Sequence, residues 1–306
     1  MARTVSCPRL LPIVSVLLLC TGASPRVEPD QPPFTFHTET NEVRLTFSAT
    51  DQNDHGIATL QASDFVVVDR DIIVRHFKSF TRSDWTRLEI GVLVDNSESL
   101  VPQFRRELSH VAELISQTAG VPEENLAIFS FRDSHPAILC AGDCRGIYEA
   151  DRWPQIQSGQ FTPLFDSVIF ADDFLSQHGD AHAEKALIIY SDGIDTISRN
   201  TLNDALETSL RTGVEIFAVD LHRPPSEGAA VLYQLAGATG GRYFPPASDS
   251  TRVLNAVLDG FHASYEIHYL VPTRDPGFHR VRVLPTHNLS LQFRSRSGYY
   301  FPEEIR

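Results

Sequence analysis

Between residues 88 and 264 the sequence alternates short apolar segments with longer amphipathic ones. The apolar segments predict strands at 88–94, 125–131, 186–190, 214–219 and 242–244. The amphipathic segments predict helices at 101–119, 164–177, 202–212, 227–237 and 252–264. Because parallel strands need crossover connections, this alternation indicates a mostly parallel sheet covered by helices on both faces. We therefore predict a doubly wound α/β domain over residues 84–265.

Oxygen-bearing side chains follow the predicted strands at the edge where open α/β sheets bind ligands. Asp95, Ser97 and Ser99 alternate directly after strand 88–94, so one turning loop can direct a carboxylate and two hydroxyls to a common point. Asp192 follows strand 186–190, and Thr162 precedes helix 164–177. Such a set of oxygen ligands suits a hard cation. Because the set is small, it favours Mg²⁺ over Mn²⁺ or Ca²⁺.

The string Asp-x-Ser-x-Ser by itself has a simpler interpretation. Asp and Ser commonly cap helices, and a helix is predicted to begin soon after Ser99. Thr162 and Asp192, in matching positions of the fold, favour the metal site over the cap. Asp195 and Asp166 could extend the acidic cluster, but first-turn placement in a helix and solvation at the surface explain them as well. Both are left out of the predicted ligand set.

The residues 95–99, Thr162 and the string Ser191-Asp192-Gly193 resemble the metal-ion-dependent adhesion site of von Willebrand factor type A domains. The resemblance implies a doubly wound α/β fold and direct ligation by Ser97 and Ser99. It also implies variable ligation by Thr162, with Asp95 and Asp192 near the metal, often through water. A coordination position is left for a carboxylate from a partner.

Further strings extend the resemblance over most of the chain that follows residue 24. Residues 60–68, 235–244 and 296–300 are similar to segments of secreted von Willebrand factor A-related proteins found in Acidobacteria. These strings are less diagnostic than the metal motif. The resemblance does not indicate what such a protein binds.

The first 24 residues have the order of an export signal. Arg3 and Arg9 accompany an apolar run at 10–19, and small residues follow. We predict a signal peptide over 1–24 and a Pro-rich leader over 25–33. The run is too short for a permanent anchor, and no later window holds roughly 18 apolar residues in a row. The expectation is an exported protein, secreted or periplasmic, without a transmembrane anchor; bulky Leu19 disfavours lipid attachment at Cys20.

Strand-like segments also flank the α/β region. Segments 42–49 and 64–74, separated by a turn-rich stretch, predict a small β domain over 34–82. Segments 265–271, 279–284 and 289–295 predict a closing β segment over 266–306. Each unit is too small to be stable alone, so pairing with the other would stabilise both.

Two cysteines, Cys140 and Cys144, follow the predicted signal peptide. In an oxidising compartment the pair most simply closes a small loop by a disulfide. A zinc site is the weaker alternative, since two thiols do not complete a tetrahedral site and no His pair lies at ligand spacing nearby.

Charge and motifs limit the function. A net charge of -13, without a stripe of Lys and Arg, argues against nucleic acid. Neither a Gly-x-Ser-x-Gly elbow nor a His-Glu-x-x-His helix is present, which disfavours an enzyme. We expect a cation-dependent adhesion module, not a catalyst, that binds a protein presenting a Glu or Asp carboxylate. A metal-dependent hydrolase or phosphatase and a structural subunit of a cell-envelope complex are the alternatives.

Overall fold

The computed structural model describes residues 41–53, 55–83, 88–97, 123–132, 135–144, 161–180, 183–222, 227–246, 248 and 250–302. The predicted signal peptide and leader, the predicted helix 101–119 and Ser99 lie outside the described residues. The elements in chain order are β1 (Glu42–Thr50), β2 (Phe65–Asp69), β3 (Ile72–Val74), β4 (Ser79–Arg82), β5 (Leu88–Val94), β6 (Leu126–Arg132), β7 (His135–Ala141), α1 (Leu164–His178), β8 (Glu184–Ser191), α2 (Leu202–Thr212), β9 (Val214–Asp220), α3 (Gly228–Thr239), β10 (Tyr243–Phe244), α4 (Ser250–His262), β11 (Ser264–Leu270), β12 (Gly277–Pro285), β13 (Gln292–Ser295) and β14 (Gly298–Phe301).

The predicted α/β sheet is confirmed. Its six strands lie in the order β10-β9-β8-β5-β6-β7, and every pairing is parallel except that of β7 with β6. All residues of β5 are buried, as expected for a central parallel strand covered on both faces. From β5 the chain passes to β6 on one side and later returns to β8 on the other. The carboxyl ends of β5 and β8 therefore flank a topological switch point, where open α/β sheets bind ligands.

Described helices cover both faces of this sheet. On one face, α4 packs through Val253 and Val257 against Ile90 and Ile188. The opposite face carries α1, α2 and α3, whose buried apolar side chains join those of Leu93, Leu187 and Ile189; they are Leu164, Val168, Ala171, Leu206, Leu232 and Leu235. This alternation of strand side chains between two apolar layers is what makes the domain doubly wound.

The strands that flank the α/β domain form two further sheets, each of four strands, in the orders β13-β1-β11-β4 and β14-β12-β2-β3. Both sheets contain strands from before and after the α/β domain. Their inner faces share one apolar core, to which Leu45, Phe47 and Ile267 contribute from one sheet and Val67 and Val283 from the other. The two β segments thus complete a single sandwich, which removes the difficulty that each is too small alone.

One predicted strand was wrong in detail. Segment 64–74 is a hairpin of β2 and β3, because Arg70 and Asp71 take φ values of 46° and 65° and reverse the chain. Positive φ at both central residues is the geometry of a tight two-residue hairpin turn.

Strands β4, β7 and β14 were not predicted. β7 contains no fully buried residue in its pattern and carries Pro136. It lies at the edge of the sheet, where a strand tolerates proline and shows little apolar signal.

A disulfide joins Cys140 and Cys144, with the sulfur atoms 2.11 Å apart. Cys140 belongs to β7, and Cys144 is fully buried in the apolar layer that contains Leu88 and Leu126. The bond therefore joins the edge strand to a buried residue of the core. In the part of the chain that the structure describes, no helix is long and apolar enough to cross a membrane.

Candidate metal-binding site

Asp95 begins the site directly after β5. Its side chain is fully buried, and its amide donates to the carbonyl of Tyr190 on β8 at 2.8 Å, which holds the two strand ends together. One carboxylate oxygen, Oδ1, accepts from the amide of Ser97 at 2.9 Å, and Oδ2 accepts from the hydroxyl of Ser191 at 2.7 Å. Asp95 is therefore fixed by both strands at the switch point.

Burial raises the pKa of Asp95 to about 6. Hydrogen bonds from Ser191 and Ser97 act in the opposite direction, and the nearby charge of Asp192 raises the pKa further. The donors to Asp95 are neutral groups, so they do not balance the charge of the ionised carboxylate. A cation at this position would supply that balance, because a buried carboxylate is stable in its charged form only with a counter-charge or strong hydrogen bonds.

The turn after β8 positions Asp192. Ser191 is fully buried, and its hydroxyl oxygen accepts from the amide of Gly193 at 3.1 Å while its proton goes to Asp95. Asp192 Oδ1 accepts from the amide of Ile194 at 3.0 Å. Gly193 has a φ of 76°, and a Cβ there would lie 2.2 Å from the carbonyl oxygen of Gly228. Glycine is required at this position for both reasons.

Thr162 is bound to the loop that follows Asp192. Its amide donates to the Thr196 hydroxyl at 2.8 Å, and the Thr196 amide donates back to the Thr162 carbonyl at 3.0 Å. Thr162 is buried, with 7% of its surface exposed. This two-way link fixes the loop before α1 against the loop after β8.

The same loop caps helix α1. Pro163 is the N-cap residue of α1, and its side chain makes no capping hydrogen bond. The first free amides of α1 donate instead to side chains of the loop after β8. The Phe165 amide donates to Asp195 Oδ2 at 3.2 Å, and the Asp166 amide donates to the Ser198 hydroxyl at 3.1 Å. Free amides at a helix start need such acceptors. These hydrogen bonds therefore fix the loop that carries Thr162 relative to the loop that carries Asp192.

Asp195 and Asp166, which were left out of the predicted ligand set, have structural partners. Asp195 also accepts from the amide and hydroxyl of Ser198. Asp166 accepts from the amides of Arg199 and Asn200, both at 3.0 Å, and these bonds lower its pKa even though burial acts the other way. The sequence did not indicate these hydrogen bonds, because the start of α1 and the loop after β8 are distant from each other along the chain.

Asp95, Ser97, Thr162 and Asp192 thus lie on loops that hydrogen bonds join at one edge of the sheet; Ser99 is outside the described residues. The set contains carboxylates and hydroxyls, which fit a hard cation such as Mg²⁺. Among the described residues no group of three His, Cys, Asp or Glu side chains could hold a metal. The described side chains of this set offer only oxygen atoms, which suit a hard cation better than a softer metal that prefers nitrogen or sulfur.

Comparisons with solved structures return chains of low sequence identity. An aerotolerance-related membrane protein from Bacteroides fragilis NCTC 9343, with multiple mutations to serines, is 13% identical, covers 57% of this chain and 98% of its own, and has a TM-score of 0.45. BatB from Bacteroides thetaiotaomicron is 12% identical, with coverages of 56% and 96% and a TM-score of 0.43. The SpRpn10 VWA domain is 11% identical, with coverages of 57% and 97% and a TM-score of 0.41.

No protein-family model matches the sequence, and no curated protein matches it. The strand order and the two helical layers by themselves define the doubly wound α/β class.

Proposed function

We propose that this protein is a cation-dependent module that binds another protein and does not catalyse a reaction. Asp95, Ser97, Ser99, Thr162 and Asp192 hold Mg²⁺, or Mn²⁺ or Ca²⁺ in its place. A Glu or Asp carboxylate of the partner occupies the remaining coordination position. The observation that carries the proposal is Asp95: a fully buried carboxylate at the switch point, held by neutral donors and lacking a balancing charge among them.

The role of Ser191 supports binding over catalysis. A serine nucleophile must reach its substrate, whereas Ser191 is fully buried, and its hydroxyl donates to Asp95 and accepts from Gly193. Both of its hydrogen-bonding functions serve the shape of the site. With the export signal predicted over residues 1–24, the proposal places the module outside the cytoplasm.

Metal binding is tested first, by thermal unfolding with EDTA or with Mg²⁺. A ligand that binds the folded state at about 100 times its dissociation constant adds about 2.7 kcal/mol of stability. We expect Mg²⁺ to raise the melting temperature of the wild type and to leave Asp95→Asn unchanged. Asp71→Asn is the matched control, since Asp71 is an exposed carboxylate in the β2–β3 turn. If none of Mg²⁺, Mn²⁺ and Ca²⁺ changed the melting temperature of the wild type, the proposed site would be excluded.

Partner binding is tested by a pull-down from envelope extract with and without EDTA. We expect the wild type to capture the partner only in the absence of EDTA, and we expect Asp95→Asn not to capture it in either condition. A stoichiometric partner that co-purifies in EDTA would instead indicate a permanent structural subunit.

A further inference from the structure

Three large apolar side chains are exposed in the two loops that carry Thr162 and Asp192. Phe161 has 46% of its surface exposed, Ile194 42% and Ile197 39%. We call these three residues the apolar rim. Phe161 directly precedes Thr162, and Ile194 lies two residues after Asp192.

Hydrogen bonds hold the rim against the proposed metal site. The Ile194 amide is bound to the Asp192 carboxylate at 3.0 Å. The mutual bonds of Thr162 and Thr196 place Phe161 and Ile197, their direct neighbours in the chain, on the same pair of joined loops. The rim is therefore a fixed part of the site's border.

In most surface loops polar side chains face solvent and apolar ones face the protein, and the loop after β8 has the opposite arrangement. Asp195 and Ser198 use their side chains to cap helix α1, so the polar groups face the protein. Ile194 and Ile197, in the same loop, face solvent. An exposed apolar patch bordered by polar residues is a mark of an interaction site.

The chemistry next to the rim indicates what covers it. A cation held by Asp95 and its neighbours attracts a carboxylate, and the exposed residue Arg199 adds a positive charge two positions after Ile197. The rim itself favours aliphatic or aromatic groups, which gain by leaving water.

We infer that the rim binds bulky apolar side chains adjacent to the metal-bound acidic residue, so that the partner presents a Glu or Asp next to Leu, Ile or Phe. This inference rests on the proposed function, because the metal fixes where the carboxylate lies. It adds a sequence preference that the metal alone does not provide.

A phage-displayed library of random peptides, selected on the full chain in Mg²⁺ or in EDTA, tests the inference. The rim variant is the double substitution Ile194→Ser and Ile197→Ser. Its matched control is Ile72→Ser and Ile73→Ser, which removes two isoleucines of similar or greater exposure from β3 of the sandwich, at 43% and 53%.

We expect the wild type and the control to select, only in Mg²⁺, peptides with an acidic residue beside a bulky apolar one. Binding of those peptides to the rim variant should be weaker by at least about tenfold, because two apolar contacts are lost. The rise in melting temperature that Mg²⁺ causes should be the same in all three proteins.

The other outcomes separate the two proposals. Mg²⁺-dependent selection of acidic peptides without an apolar neighbour, equal binding by the rim variant, or a Mg²⁺ effect on melting without any selected peptide would overturn the inference and leave the metal site standing. If the wild type self-associated and the rim variant did not, the inference would be overturned, because the rim would then bind a second copy of the chain and not a different partner. Absence of both Mg²⁺-dependent selection and the melting shift would overturn the proposed function as well.

Discussion

His279 Nδ1 lies 3.6 Å from Asp69 Oδ1, and both side chains are fully buried in the β-sandwich. The other carboxylate oxygen of Asp69 accepts from the hydroxyls of Tyr269 at 3.0 Å and Tyr299 at 2.8 Å. His279 Nε2 lies 2.7 Å from the carbonyl of Asp275, so it must donate. His279 Nδ1 lies 3.1 Å from the Tyr299 oxygen, within hydrogen-bonding distance. His279 therefore has a polar partner at each ring nitrogen and lies beside the buried Asp69 carboxyl group.

Removing the His279 ring should destabilise the sandwich. His279→Gln takes away the ring that contacts Asp69 and Tyr299, and a buried polar group left without a partner costs about 1–3 kcal/mol. The double variant Asp69→Asn/His279→Gln should lose less than the sum of the two single variants, because the two side chains contact each other. Urea unfolding measures all four free energies. Additive losses would show that Asp69 and His279 do not act as a pair.

Glu215, on β9, gives the protein a stability that depends on pH. Burial raises its pKa to about 8, and the charge of Glu184 raises it further, while Arg294 and Arg296 oppose the shift. The folded pKa lies above the ordinary value of 4.5, so the folded protein binds this proton more tightly than the unfolded chain. Stability is therefore fully present below about pH 4.5 and is lost as the pH rises through about 8.

Glu215→Gln should remove that slope. At pH 4.5 and below, the variant and the wild type should unfold at similar urea concentrations. Near pH 8 the variant should be more stable by at most about 4 kcal/mol, since each pKa unit corresponds to about 1.4 kcal/mol. Glu207→Gln is the control, because Glu207 is exposed and pairs with Arg211 on the surface of α2. Parallel pH profiles for the wild type and Glu215→Gln would contradict the argument.

The parallel core was predictable because its signal is local. Strands buried on both faces, such as β5 and β8, need nearly continuous apolar residues. Helix α2 carries its own start signal, a capping box between Thr201 and Asp204. Features of this kind depend on neighbours in the sequence, so the sequence alone indicates them.

Other features depend on contacts between distant residues. β1 pairs with β11 in a register that sets Glu42 opposite Leu270, and no local pattern specifies that pairing. The capping of α1 by Asp195 likewise joins two loops. Strand ends alone were enough to predict the positions of Asp95 and Asp192, but not the hydrogen bonds that fix them.

The loop-to-helix cap predicts different effects for two similar substitutions. Asp195→Ala and Asp204→Ala each remove an acidic cap, so each should cost about 1 kcal/mol of stability. Only Asp195 holds the loop that binds Thr162, whereas Asp204 caps α2 from within. Calorimetric titration with Mg²⁺ should therefore show weaker binding for Asp195→Ala alone. Equal Mg²⁺ affinities in the two variants would show that the cap of α1 does not influence the proposed metal site.

Gly193 and Gly213 offer a test of the close backbone contact beside Asp192. Both have positive φ, 76° and 75°, so alanine at either carries a backbone cost of about 1–2 kcal/mol. A Cβ at Gly213 meets nothing within 4 Å, whereas at Gly193 it lies 2.2 Å from the carbonyl oxygen of Gly228. Gly193→Ala must therefore displace either its own turn or the start of α3.

We expect Gly213→Ala to lower the free energy of unfolding by the backbone cost alone and to keep the Mg²⁺ response. Gly193→Ala should lose about 1–3 kcal/mol more, as for other overpacked sites, and should bind Mg²⁺ less tightly because Asp192 moves with the turn. Urea unfolding in EDTA measures the first effect and titration with Mg²⁺ the second. Equal stability losses in the two variants would show that the turn relaxes without cost, and the position of Asp192 would then not depend on glycine at 193.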